Sequence, residues 1–411
     1  MYCLKMISLF LEKVTNKVQV KYRPTLAEID LDALYANYEA LRRRIPADAK
    51  LLACVKANAY GHGAVPIARE LERYGADYLS VAFLDEALEL RQAGLTLPIL
   101  VLGYTPPDGV RDAWENGITL TLFSREVLYA IRDLDPSEFT HKLKVHIKID
   151  SGMGRLGLLP GDETIAFIRD AMSLPQLEVE GLFTHFATAD ERDKSYTLEQ
   201  YRRFQSVVDT LQHHDLNIPI IHTGNSAIAI DLPEISYQMV RIGIALYGLY
   251  PSDEIDKEQV PLQPILTLKT ETVHVKSLPP HSAISYGAKY VTEREEIIAT
   301  LPLGYADGYS RMLGDKAQVL IRGKRVPVVG TICMDQCMVS LQSLAEEAKE
   351  IQVGEEVVLI GQQSGASITA DELASMLGTI PYEVVCMLAH RVPRLYIGTD
   401  RPHLLLNPLF A

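Results

Sequence analysis

Lys56 ends the apolar run LLACV and opens VKANAYGHG (55–63). An ammonium in apolar surroundings is costly unless it is paired or used covalently. Two readings stand: a rim lysine paired with a carboxylate, or a desolvated amine that forms a Schiff base. Four further clusters carry polar chemistry at the ends of apolar runs. Lys148 and Asp150 precede SerGlyMetGly and Arg155; His185 follows GLFT; His222, Asn225 and Ser226 lie in IHTGNS; Arg241 precedes Gly243 and Ile244. The Ser226 hydroxyl and the Gly243 and Ile244 backbone N–H groups together make a phosphate cup, because N–H groups at a helix start attract anions. A Schiff-base lysine facing such a cup suggests pyridoxal 5'-phosphate. A Schiff-base aldolase on the same scaffold remains open.

These groups must be positioned by elements. From residue 30 to about 250, short β-branched apolar runs alternate with helix-like segments such as FLDEALELRQAG (83–94). The runs at 51–58, 77–83, 98–103, 119–123, 144–150, 179–186, 218–226 and 239–248 read as buried parallel strands. Eight strands interleaved with helices predict an α/β fold, an N-terminal (β/α)8 TIM-type barrel, with a doubly wound open sheet as the alternative. In such a barrel, chemistry sits at strand C-terminal ends, and phosphate sits after strands seven and eight. After Pro251 the texture becomes prolines and short strand-like runs, and one helix, ITADELASMLG, is announced by Thr369 as N-cap. The chain therefore divides into an N-terminal extension over 1–23, a barrel over 24–260 and a mainly β C-terminal domain over 261–411.

The 411 residues suffice for a large core. Fifty-three acids against 40 bases give a net charge of −13, unfavourable for nucleic acid or an anionic membrane. Five scattered cysteines point to free thiols in a reducing cytoplasm. Met6–Leu11 is too short for a signal h-region and lacks a cleavage site. No apolar run reaches membrane-spanning length. The eleven histidines are scattered, so no metal site is implied.

VKANAYGHG (55–63), KIDSGMGRLG (148–157), THFATAD (184–190), HTGNSA (222–227), MVRIGIALYGLYP (239–251), ISYGAKY (284–290), LPLGYADGYSR (301–311), GTICMDQ (330–336) and PYEVVC (381–386) together resemble alanine racemases, of the fold-type III PLP-dependent family. The extension is the one departure. The resemblance implies a cytoplasmic two-base racemase that interconverts L- and D-alanine and supplies D-alanine for peptidoglycan. It implies that Lys56 carries the cofactor and is one base, with Tyr286 the other. It implies His185 and Arg241 behind Tyr286, and Arg241 facing the pyridine nitrogen. Tyr60, Ser226, Gly243, Ile244 and Tyr382 match the phosphate ligands. Arg155 contacts cofactor and substrate carboxylate, the Met334 N–H reaches that carboxylate, and Lys148 is a candidate carbamyl-lysine beside Arg155. It also implies a head-to-tail homodimer whose two sites are each shared by both chains. A PLP-binding barrel without turnover fits less well, because the β domain and Tyr286 are present. A related PLP decarboxylase is disfavoured by Arg241, where an acid is the norm.

Overall fold

The computed structural model describes residues 22–138, 140–399 and 402–410. The expected extension lies, up to residue 21, outside the described residues. Two compact units are present: Ala33–Ile265, and the described residues up to Asp32 together with those from Leu266 onward. The first strand, β1 (Leu26–Asp30), belongs to the second unit, not to the barrel as the sequence boundary at 24 had it. It pairs antiparallel with the strand that begins at Leu266 and parallel with the one that begins at Arg394, and Ala27 and Ile29 are fully buried there. A five-residue apolar segment ahead of a helix looks the same from sequence in either location.

The barrel unit contains β2 (Lys50–Cys54), β3 (Tyr78–Val81), β4 (Ile99–Val101), β5 (Thr119–Leu122), β6 (Leu143–Lys148), β7 (Leu177–Phe183), β8 (Ile220–His222) and β9 (Met239–Ile242). All eight expected strands are therefore present, each within a few residues of its predicted run. Every neighbouring pair is parallel, and β9 closes back onto β2. The last seam, β8 to β9, has no ladder. Gln238 N donates to Ile221 O at 3.0 Å, and Arg241 N donates to Gly224 O at 3.1 Å. The strands are almost wholly buried because both faces are covered, as parallel sheets require. Leu52, Tyr78, Leu100, Ile220 and Met239, from five different strands, form one apolar cluster. Helix Ser195–His213 buries Thr197, Gln200, Phe204, Val207, Val208 and Leu211, an amphipathic face at three- and four-residue spacing.

In the second unit the strands run β10 (Leu266–Glu271), β11 (His274–Leu278), β12 (Ala283–Ile284), β13 (Tyr290–Val291), β14 (Glu296–Leu301), β15 (Gln318–Ile321), β16 (Lys324–Val329), β17 (Cys337–Ser340), β18 (Glu356–Gln363), β19 (Ala366–Ile368), β20 (Arg394–Ile397) and β21 (Leu404–Leu406). They order as β11-β14-β17-β16-β15-β18-β10-β1-β20-β21, with β19 on β18 and β12–β13 a separate hairpin. This is the mainly β domain expected. Helix Ala370–Leu377 is capped as predicted: Thr369 Oγ1 accepts from Glu372 N at 3.1 Å.

Candidate active site

Lys56 does not end a strand. β2 stops at Cys54, and Lys56 opens a turn in which Ala57, Asn58, Ala59 and Tyr60 all have φ between 52° and 55°. Consecutive left-handed residues cost about 1–2 kcal/mol each in non-glycine side chains. The surroundings hold them in place. Glu86 accepts from Ala57 N at 2.6 Å and from Ala82 N at 2.7 Å, tying the turn to the loop after β3. His62 Nδ1 lies 2.9 Å from both Ala59 O and Tyr60 O, and Asn58 Oδ1 accepts from Ala64 N at 2.8 Å. The turn points Lys56 over the Tyr60 ring, 5.9 Å from its centroid, with the lysine half-buried. Neither Glu86 nor His62 was singled out from sequence. A carboxylate three residues after Phe83 reads as an ordinary first-turn acid.

Arg241 sits inside β9 with 5% of its surface exposed. Its Nη1 is 2.9 Å from His222 Nδ1, and its Nη2 donates to Thr184 O at 2.9 Å and Thr223 O at 3.0 Å. Nη2 also lies 3.2 Å from His185 Nδ1. Among the described residues Nε–H has no acceptor, so this buried cation keeps one donor for a ligand. Arginine only donates, so His222 Nδ1 accepts; the two Nη2 hydrogens are shared among Thr184 O, Thr223 O and His185 Nδ1, and a ring nitrogen facing this cation is unprotonated, so each ring carries its proton on Nε2. His222 Nε2 then donates to His146 Nδ1 at 2.8 Å, and His146 Nε2 donates to Glu180 Oε2 at 3.2 Å. Lys144 Nζ closes the chain on Glu180 at 2.6 Å. Gly181 permits it: a Cβ there would lie 2.4 Å from His146 Nδ1. Burial pushes His222 and His185 well below the usual histidine range, and the Arg241 charge adds to this. Burial would raise the Glu180 carboxyl, but hydrogen bonds from His146 and Lys144 hold it down at about 2.

Lys148 is 5% exposed and lies over the Phe183 ring at 5.2 Å. Burial first, then Arg155 and Arg241, lower its ammonium to about 8. Arg241 itself is lowered to about 10, chiefly by burial. The neighbouring carboxylate is committed elsewhere: Asp150 accepts from Gly152 N, Gly154 N and Arg155 N at 3.0–3.1 Å and so shapes the loop that presents Arg155. Lys56, Lys148, Arg155 and Arg241 thus form a cation cluster, a setting that attracts an anion.

Ser226, Gly243 and Ile244, expected from sequence as phosphate ligands, lie close together, but the Gly243 N–H is not left open. Ser226 begins helix Ser226–Asp231, whose N-cap Asn225 accepts from Ile228 N at 3.0 Å. Gly243 N donates to Ser226 Oγ at 2.9 Å, so that amide is engaged and the Ser226 O–H is left to donate outward. Ile244 opens the 3₁₀ turn Ile244–Tyr247, whose first N–H has no partner within the turn. Tyr60 packs against Gly243; its OH would lie 2.4 Å from a Cβ there, so a side chain at 243 would displace the phenol. The donors fit pyridoxal phosphate: an amine, a phosphate cup, and a buried Arg241 Nε–H suited to an unprotonated ring nitrogen.

Tyr286, Met334 and Tyr382 belong to the other unit. Tyr286 is 70% and Met334 53% exposed, and both line one open groove of about 880 Å³. The Met334 turn is held by Ala306 N donating to Met334 O at 3.0 Å and Tyr305 N donating to Cys333 O at 3.0 Å. The Met334 N–H has no acceptor among the described residues. Tyr382 is half-buried in helix Pro381–Cys386. Among the described residues no group of three or more His, Cys, Asp or Glu side chains is arranged to hold a metal ion.

The family model "Alanine racemase, N-terminal domain" matches residues 29–251, and "Alanine racemase, C-terminal domain" matches residues 265–396. The chain is 48% identical over 375 residues to an alanine racemase of Desulforamulus reducens, covering 91% of this chain and 99% of that one. It is 46% identical to one of Methanococcus maripaludis, with the same coverage. Among solved structures, alanine racemase of Clostridium difficile 630 superposes with a TM-score of 0.89 at 43% identity, over 96% of this chain and 100% of that one. The Bacillus anthracis alanine racemase with bound L-Ala-P gives a TM-score of 0.89 at 43% identity, over 95% and 99%.

Proposed function

From the premise that this chain belongs to the alanine racemase family, we propose that it is a two-base racemase of L- and D-alanine that works with bound pyridoxal phosphate. The observation that carries this reading is the cation cluster around Arg241, with the Lys56 amine presented by a strained turn beside the Ser226–Ile244 cup. When bound, the cofactor supplies the carbonyl that condenses with the substrate amine and the ring that accepts the charge left when the α-proton departs.

Lys56 Nζ would hold the cofactor and, once released by substrate, exchange a proton on one face of Cα. Ser226, Ile244 and Tyr60 would bind the phosphate, with Tyr382 from the β unit. Arg241 Nε–H would donate to the ring nitrogen; a guanidinium retains its proton, so the ring is kept a weak acceptor of charge. Arg155 and the Met334 N–H would bind the substrate carboxylate. Tyr286 would serve the opposite face. In the proposed homodimer the His185 ring, oriented by Arg241, would offer its Nε2–H to the phenol oxygen of the other copy. The exposed Tyr286 and Met334 support a head-to-tail homodimer in which each tyrosine serves the other copy's barrel. The unbridged thiols Cys54, Cys333 and Cys337 support a reducing cytoplasm, where the D-alanine formed would feed peptidoglycan synthesis.

Borohydride reduction of the loaded protein, followed by peptide mapping, tests the reading. The pyridoxyl group is expected on Lys56, alongside D-alanine formation from L-alanine before reduction. A label on another lysine overturns the assignment.

A further inference from the structure

The loop that carries Tyr286 is poorly held by its own backbone. The β12–β13 hairpin has two residue pairs, Ala283↔Val291 and Ile284↔Tyr290. Hairpins of that size are marginal by themselves. Directly before the tyrosine, Ser285 adopts φ 64°, ψ −175°, a region nearly reserved for glycine. Strain of that kind persists only where the surroundings over-determine it.

Two hydroxyl groups do so here. Ser285 Oγ donates to Thr331 O at 2.5 Å, and Thr331 Oγ1 donates back to Tyr286 O at 2.9 Å. Ser285 Oγ also lies 3.4 Å from Cys333 Sγ. Thr331 is 7% exposed, so the Thr331 end of each bond is buried. Gly330 allows the approach; a Cβ there would stand 2.9 Å from Ile284 O. The two bonds bracket the Tyr286 Cα, one through the preceding side chain and one through its own carbonyl. They therefore set the direction of the Cα–Cβ bond, and with it the phenol. The same short segment, 330–334, ends in Met334, so one staple indexes the tyrosine to the amide proposed for the substrate carboxylate.

We propose that Thr331, with Ser285, is a positioning residue for Tyr286. This rests on the reading of Tyr286 as a base, and the experiment separates the two. Racemisation rates alone do not discriminate, because the overall equilibrium ties the two directions together. The informative quantity is solvent-deuterium exchange into D-alanine with retention, relative to inversion. On the reading that Lys56 serves the face bearing the D-alanine α-proton and Tyr286 the L-alanine face, exchange with retention needs only Lys56; inversion needs both. Thr331→Val removes one hydroxyl at nearly constant shape and is expected to raise that ratio by about tenfold or more, since small misplacements of a reacting group are costly. Thr331→Ser restores the donor and is expected to return the ratio towards the parent value. In substrate-free protein, amide hydrogen exchange of the 284–291 peptide should accelerate in Thr331→Val, with little change in Tm. Should Thr331→Val fail to fold, Ser285→Ala breaks the reciprocal bond and carries the same expectations. A parent-like ratio and parent-like amide exchange in these variants, with Tyr286→Phe raising the ratio, overturns the positioning role. A parent-like ratio in Tyr286→Phe itself refutes the two-base reading instead, and the amide exchange still decides the staple.

Discussion

Lys148 shows how burial converts an ordinary residue into a reactive one. With its ammonium lowered to about 8 by burial, Arg155 and Arg241, about a tenth of it is free amine at pH 7; an unperturbed lysine has well under a thousandth. Free amine is the form that adds carbon dioxide. The product is an anion, which would relieve the repulsion from both guanidinium groups. Isotopically labelled bicarbonate should therefore yield one carbamate resonance that grows as pH rises from 7 to 9 and is absent in Lys148→Arg. A spectrum with no such signal counts against the modification. The same residue scale explains the histidine tautomers. Arg241 at one end can only donate and the Glu180 carboxylate at the other can only accept, so every proton between them is assigned without being observed.

Among the elements, β6 and β7 carry the most unusual cargo. Barrel interiors are ordinarily packed with branched aliphatic side chains, yet here His146 and Glu180 extend a polar chain from Arg241 to Lys144. Breaking such a buried pair is costly because the remaining charge is left uncompensated. The sign of its pH dependence follows from the Glu180 carboxyl, held at about 2 against an ordinary 4.5. A depressed carboxyl contributes stability that is complete above about 4.5 and is lost as pH falls towards 2. Glu180→Gln should lower stability near pH 7 and flatten its decline between pH 4.5 and 2, measured by denaturant unfolding. An unchanged acid limb would show that other carboxylates govern acid unfolding. The turn after β2 is the second element of note. Its four left-handed residues are stabilised by Glu86, His62 and Asn58, so the Lys56 geometry depends on hydrogen bonds from side chains around it.

For the whole molecule, the proposed division of labour between two copies has a direct consequence. Lys56→Ala and Tyr286→Phe homodimers should each be nearly inactive, since a positioned base contributes ~10²–10⁴ in rate. Unfolded together and refolded, half of the dimers are mixed. Each mixed dimer pairs an intact lysine with an intact tyrosine at one of its two sites. About a quarter of the parent activity should return, the statistical expectation for a symmetric pair. No recovery, with dimers formed, would place both bases within one chain.

Much of this arrangement is written in the sequence. Eight β-branched runs separated by amphipathic segments predict a parallel α/β fold, because parallel strands covered on both faces must be apolar throughout; the pairing of β9 with β2 makes it a barrel rather than an open sheet. Lys56, Lys148, Arg155, Ser226, Arg241 and Gly243 stand out because strand ends are where such a barrel keeps its chemistry. Tyr286, one of 20 tyrosines, was singled out by motif resemblance alone; no local pattern marks it. What sequence could not resolve depends on contacts between distant positions. β1 joined the second unit because its register partners lie some 240 and 370 residues away along the chain. The turn at 57–60 departed from the strand pattern because Glu86 and His62 hold a conformation that no propensity favours. His146, Glu180, Thr331 and Ser285 read as ordinary strand and loop residues. They gain their roles only when folding removes water and leaves each donor a single acceptor within reach.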